Sequence, residues 1–181
     1  MNLEVRSLRD NDLEQIKQFT DQWIGNDYYD LNSIRTILLQ SKGCSLGAFR
    51  DGHLGAVRLT LAPGTWVEEF DRGLTPSKWK IPANQMAYFK SLFVAKDFQA
   101  NGLGVHLSLE SIELLKMLGA KGIICHSWLE SPNNSSQRYL SKLGFEAVAE
   151  FPKFWFPIDY DCTRCAPKRC ECTAMEMVKY I

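Results

Sequence analysis

Residues 85–119 read QMAYFKSLFVAKDFQANGLGVHLSLESIELLKMLG, and the periodicity changes in the middle of the stretch. Met86 to Val94 is aromatic, β-branched or apolar enough for a buried strand. Leu103, Leu107, Leu114 and Leu118, with Val105, Leu109, Ile112 and Leu115 beside them, repeat at helical spacing. A strand therefore runs into a helix. Between them Gln99-Ala-Asn-Gly102-Leu-Gly104 places two glycines, which tolerate positive φ and close backbone approach, where the first helical turn leaves amide N–H groups unpaired. Such a turn suits an anion, in particular a phosphate or pyrophosphate. The bland alternative is a strand-to-helix turn whose glycines serve geometry alone.

Two nucleotide motifs are excluded by what is missing. The dinucleotide fingerprint needs a third glycine where Leu107 stands, and the P-loop needs Gly-Lys-Ser/Thr where Gly104 is followed by Val105 and His106. An apolar strand ending in Phe93-Val94, followed by Gln99-x-x-Gly102-x-Gly104 at the start of a helix, resembles the coenzyme-A-binding motif of the GNAT N-acetyltransferase superfamily. The next unit extends the resemblance. Gly122 to Trp128 reads as a second buried strand and Asn133 to Lys142 as a helix. Asn133, Lys142, Gly144 and Phe145 stand at the family's Asn and Lys-x-Gly-Phe positions. One position departs: where the family often carries a Tyr four residues before that glycine, as the acid for the leaving thiolate, this chain has Leu140, with Tyr139 one place earlier.

The resemblance implies an α/β (α+β) fold, a mixed, mostly antiparallel twisted sheet of about six or seven strands flanked by about four helices. It also implies direct attack of an amine on acetyl-coenzyme A in a ternary complex. The pyrophosphate would lie on the N–H groups of Gln99, Ala100, Asn101, Gly102, Leu103 and Gly104, and the pantetheine along Phe93 and Val94. The Val94 amide would stabilise the oxyanion, and Asn133 would reach the pantetheine from the other side. A homodimer is compatible with the family.

Composition agrees with one enzyme domain over residues 1–181. Basic and acidic residues balance at 21 each, so no basic field argues for nucleic acid. No apolar leader or membrane span is read, which makes a soluble, cytoplasmic protein without a membrane partner the expectation.

From the start, Leu3 and Val5 alternate with polar residues as a first strand, and Asn11 with Glu14 reads as a capping box for a helix ending at Gly25-Asn26. A second helix runs from about Asp30 to Gln40. In the family this helical region helps form the acceptor pocket, so Trp23, Tyr28 and Tyr29 are either substrate contacts or core. Cys44 to Arg50 and His53 to Leu61 form a hairpin turned by Asp51-Gly52. Residues 63–84 form a long, Gly- and Pro-broken loop containing Trp66, Glu68, Glu69 and Trp79. It is read either as an acceptor loop, with Glu68 or Glu69 holding or deprotonating a cationic amine, or as a surface excursion whose tryptophans cover a sheet edge.

At the other end, strands through Val148 and Phe151 and from Thr173 to Tyr180 bracket a cysteine-rich insertion, residues 157–172. Cys162, Cys165, Cys170 and Cys172, without a secretory leader, point to metal rather than disulfides. Zinc is the natural occupant, since four thiolates close its structural shell and leave no catalytic position. Reduced thiols, a labile disulfide and an iron-sulfur site are the alternatives. Cys44 and Cys125 read as buried core thiols.

Catalysis lacks an assigned base. A lysine-like amine is only about a thousandth neutral at pH 7, so a base or a dehydrated pocket is required. Glu68, Glu69, Glu130 and His126 are the candidates, and Tyr139 or Ser135 is the candidate acid. An acyl-coenzyme-A-binding module without catalysis is the second reading, because it would keep Gly102 and Gly104 and need no acid at Leu140.

Overall fold

The computed structural model describes residues 3–69, 72–99 and 102–181, with Glu69 described in its backbone only. The chain runs β1 (Leu3–Ser7), α1 (Leu13–Trp23), β2 (Gly25–Asn26), α2 (Leu31–Ser41), β3 (Leu46–Arg50), β4 (His53–Leu61), β5 (Met86–Val94), α3 (Leu103–Met117), β6 (Gly122–Trp128), α4 (Ser135–Lys142), β7 (Glu146–Phe151), β8 (Asp161–Cys162) and β9 (Ala174–Tyr180). Seven strands form one sheet in the order β1-β3-β4-β5-β6-β9-β7, and β2 pairs with β8 separately. Only β5 and β6 run parallel within the large sheet. This is the mixed, mostly antiparallel sheet with four helices that the resemblance implies.

Each face of the sheet is covered by a helical pair. Ile16 and Phe19 of α1 and Ile34 and Ile37 of α2 pack on Val57, Leu59, Leu61 and Met86. On the other face Ile112 and Leu115 of α3 and Leu140 of α4 meet Ala87, Phe89, Ile123 and Cys125. The middle strands are thus buried on both sides, which is why they read as apolar runs instead of alternating. No helix among the described residues is long and apolar enough to cross a membrane.

Three local expectations need correction. The box at α1 is formed by Asp12 rather than by Asn11 and Glu14. Asp12 accepts from the Arg9 N–H at 2.8 Å and holds Arg6 through two bonds of 2.8 Å. Arg6 keeps the Asp12 carboxyl below the usual range, because a bonded guanidinium favours the charged form. Gly25-Asn26 does not simply end α1 but forms β2, opposite Cys162 and Asp161. The cysteine-rich insertion therefore contributes a strand of its own.

The long loop between β4 and β5 is neither free nor a cover for an edge. Trp66 is fully buried and donates its indole N–H to the Met86 carbonyl at 2.9 Å. Trp79 donates to Glu176 on β9 at 3.0 Å. Glu176 is itself fully buried and also accepts from the Thr75 N–H at 3.0 Å and from the Thr75 hydroxyl.

Candidate active site

Strands β5 and β6 pair only from Met86 opposite Gly122 to Phe89 opposite Cys125, although both continue, to Val94 and Trp128. Where the pairing stops, the β4–β5 register shifts, with Phe89 opposite Thr60 and Ser91 opposite Leu59, leaving Lys90 as the extra residue. A bulge bends its strand. The C-terminal half of β5 follows β4 away from β6, and a cleft of about 730 Å³ opens between them.

The open edge of β5 presents backbone groups. The Ala95 N–H is spent on the Gly55 carbonyl of the β4 side at 2.9 Å, so strand alternation turns the N–H groups of Val94 and Leu92 toward the cleft. Sequence reasoning identified Val94; Leu92 emerges only from the register. Gln99 braces the turn beyond by donating its side-chain amide to the Val94 carbonyl at 2.9 Å.

Gly102 is left-handed, with φ 66°, and caps α3; the first bond of the helix is from the His106 N–H to the Gly102 carbonyl at 2.9 Å. The N–H groups of Leu103, Gly104 and Val105 precede that bond and have no helical acceptor. Gln99, Gly102, Leu103 and Gly104 line the cleft; Ala100 and Asn101 lie outside the described residues. A Cβ on Gly104 would come to 3.3 Å from Leu92 and 3.5 Å from Val94, so this glycine lets α3 approach β5 closely.

Tyr139 lines the cleft, and its hydroxyl donates to the Gly104 carbonyl at 2.9 Å and meets Ser108 Oγ at 2.5 Å. Ser108 also accepts from Arg58 Nε at 3.1 Å. Arg58 stands opposite Leu92 on β4, with 3% of its surface exposed and its guanidinium 4.1 Å from the centre of the Phe89 ring. It lines the cleft, and no carboxylate among the described residues pairs with it. Burial lowers its proton affinity. Arg58 was not singled out from sequence, since one arginine in an apolar strand carries no periodic signal.

The other candidates are placed as follows. His126 lines the cleft, but Nδ1 bonds the Tyr88 hydroxyl at 2.8 Å and Nε2 the Gly73 carbonyl at 2.5 Å. Burial favours the neutral ring and pulls its pKa down to about 4, against the opposing pull of the Gly73 carbonyl. Glu130 accepts the Thr173 N–H with both oxygens, at 3.0 and 2.9 Å. Glu68 is exposed and does not line the cleft, and the Glu69 side chain lies outside the described residues. Ser135 lines the cleft, whereas Asn133 is exposed beside it, in a left-handed conformation with φ 55°. Among the described residues no aspartate or glutamate lines the cavity.

The far wall is aromatic and sulfur-rich. Trp23, Ile24, Tyr28, Trp128, Trp155 and Tyr160 face the cavity. Cys162, Cys170 and Cys172 line it too, and their sulfurs and that of Cys165 all lie within 4.8 Å of one another. Cys44 is buried away from the cleft and Cys125 is buried at its wall, and burial raises their thiols to about 11 and about 12.

A model of the acetyltransferase (GNAT) family matches residues 5–145. N-alpha-acetyltransferase 60 of Danio rerio is 30% identical over 112 residues, 61% of this chain but only 45% of that protein, so the match spans under half of the relative's length. Arabidopsis thaliana Naa50, solved with the bisubstrate analogue CoA-Ac-MVNAL, superposes with a TM-score of 0.68 at 14% identity, covering 100% of both chains. A Drosophila melanogaster polyamine N-acetyltransferase, an enzyme forming N-acetylagmatine, gives 0.66 at 14% identity over 99% of this chain and 100% of that one.

Proposed function

Because the chain belongs to the GNAT acetyltransferase family, we propose that it transfers the acetyl group of acetyl-coenzyme A to the α-amine of a peptide or protein N-terminus, in a ternary complex. The observation that carries the choice of acceptor is the lining of the cleft, which holds no carboxylate among the described residues. A polyamine or lysine side chain would need an anionic partner and a base. An α-amine, with a pKa of about 7.7–8.0, is about a tenth neutral at pH 7 and needs neither. The relative named an N-alpha-acetyltransferase and the neighbour holding a peptide analogue support the same reading.

The chemistry follows from the backbone. The pyrophosphate lies on the free N–H groups at the start of α3, and the pantetheine runs along β5, with Asn133 at the opposite lip. Attack by the amine turns the thioester carbonyl into an oxyanion, which accepts from the N–H of Val94 or Leu92. The tetrahedral intermediate then expels the thiolate, and the buried Arg58, which no carboxylate among the described residues neutralises, supplies the field that stabilises it. The amine's proton leaves through water; neither Glu68 nor His126 takes it. Tyr139 ties α4 to the first turn of α3 and is a positioning residue rather than the acid. We read the four clustered cysteines as a structural zinc site, and reduced thiolates suit the cytoplasm.

Calorimetric titration with acetyl-coenzyme A, with Gly104→Glu as control, tests the donor site. Micromolar binding that the variant abolishes is expected, since a carboxylate at that helix start repels the pyrophosphate. Thiol release is then compared with the peptide Met-Val-Asn-Ala-Leu and with agmatine. Faster release with agmatine would overturn the acceptor assignment, and binding without release to any amine would leave only the acyl-coenzyme-A module.

A further inference from the structure

The segment from Pro152 to Thr173 is ordered by sulfur and by aromatic rings, with Phe154 stacked on His126 at 4.3 Å, and not by aliphatic side chains. Its only strand is the two-residue β8, and its buried cluster consists of Cys162, Cys170 and Cys172, packed with Trp128, Trp155, Tyr160 and Cys165. A segment of this size with no aliphatic core needs another source of order, and a closed metal shell is the usual one.

The sulfurs are arranged for one. In a tetrahedral shell with Zn–S bonds of about 2.3 Å the sulfurs stand about 3.8 Å apart. Here every pair of the four lies within 4.8 Å, and Cys165 Sγ is 3.6 Å from Cys172 Sγ. Two disulfides would instead draw two pairs to about 2.0 Å. Trp128, Trp155 and Tyr160 pack around the sulfurs. The Trp128 indole N–H is buried without a hydrogen-bond partner, and its ring packs against the cysteine cluster.

The cluster is also wired to the cleft. Cys162 stands directly opposite Gly25 in the β2–β8 pair, and the Thr163 N–H reaches the Ile24 carbonyl at 3.4 Å. Gly25 itself donates nothing to the cavity, but a Cβ there would come to 2.0 Å from the Asp161 carbonyl, so the two backbones touch. The Tyr28 and Tyr160 rings meet edge to face at 4.8 Å. Trp23, Ile24 and Tyr28, which flank β2, are the aromatic wall of the cavity opposite the open edge of β5.

We infer that Cys162, Cys165, Cys170 and Cys172 hold one Zn²⁺ in a closed four-sulfur shell, and that this ion, through the β2–β8 pair, fixes the Trp23–Tyr28 wall and so sets the affinity for the amine acceptor. Loading replaces four S–H bonds by four Zn–S bonds and releases four protons to solvent, leaving a doubly negative centre beside Arg164, Lys168 and Arg169. No ligand position stays open, so the ion takes no part in acetyl transfer. The last link, to the acceptor, rests on the acetyltransferase reading; the metal and the wall do not.

The test uses the whole chain in three measurements. Metal analysis of purified protein is expected to give about one zinc per chain, and cobalt substitution the visible spectrum of a tetrahedral thiolate site. Hydrogen exchange is then compared between loaded protein and protein dialysed against a chelator. Exchange is expected to rise in residues 21–30 and 152–173 and to stay unchanged in α3. Finally, KM for the peptide Met-Val-Asn-Ala-Leu is expected to rise about tenfold in the stripped protein while acetyl-coenzyme A affinity stays within about twofold. Gly25→Ala, which keeps all four cysteines, is expected to retain zinc and reproduce the exchange in residues 21–30.

Each contrary result is decisive. No stoichiometric metal, or iron in place of zinc, overturns the zinc site. Zinc present with unchanged exchange in residues 21–30 overturns the coupling. Loss of acetyl-coenzyme A binding on stripping overturns the local role. If loaded protein binds acetyl-coenzyme A but acetylates no peptide, the acceptor reading fails, while the exchange comparison still decides the metal and the wall.

Discussion

At the scale of single residues, the site depends on groups whose neighbours define their roles. Arg58 is a buried cation beside the Ser108 and Tyr139 hydroxyls, with no carboxylate partner among the described residues, and a buried charge without a counter-ion is costly. Its persistence at the cleft is explained if, as proposed, a negative charge develops there during reaction. Arg58→Met, which keeps most of the volume, is expected to lower kcat by about two orders of magnitude with little change in acetyl-coenzyme A affinity. Steady-state kinetics and calorimetry on one preparation separate the two quantities, and equal losses in both would assign Arg58 to ground-state binding.

His126 shows the opposite logic, a titratable ring held neutral by its surroundings. Its pKa is about 4 when folded and about 6.5 when unfolded, so between those values the unfolded chain binds the extra proton. Stability contributed by the neutral ring is therefore complete above about pH 6.5 and falls away as pH drops toward about 4, by up to about 3 kcal/mol. Urea unfolding across that range checks the slope, and His126→Gln is expected to flatten it.

Among elements, the loop between β4 and β5 changes meaning most. Its length and composition suggest an acceptor loop or a surface excursion, yet Thr75 and Trp79 are bonded to Glu176 and Gly73 to His126, which face each other across β6 and β9. The loop is therefore a packed layer, fastened to the sheet by two polar side chains. Glu176→Ala would leave the Trp79 and Thr75 N–H groups buried and unpaired, at a cost of about 2–4 kcal/mol. Denaturant midpoints measure this directly, and a loss below about 0.5 kcal/mol would show that the loop holds by its tryptophans alone. The short strands β2 and β8 carry the same lesson in reverse: two residues each, they are invisible to periodicity, yet they join the cysteine cluster to the Trp23–Tyr28 wall of the cleft.

Over the whole molecule, the cleft separates two halves with different physical origins. The donor half is backbone: an open strand edge and a helix start, both prescribed by local sequence. The half proposed to take the acceptor is assembled from α1, β2, the end of β6 and the cysteine segment, which are far apart along the chain. The sequence by itself determined the strand-glycine-helix unit at residues 85–119, the hairpin at Asp51-Gly52, the family and the four clustered cysteines, because each is a local pattern of spacing, turn chemistry or ligand type. Only the tertiary structure decided that β5 and β6 part after Phe89, that Arg58 and Leu92 face the opening, that His126 and Glu130 are already engaged, and that the sulfur cluster stands at the cleft wall. Those depend on strand register and on contacts between distant segments, and a one-residue bulge or a two-residue strand leaves no periodic trace in the chain that encodes it.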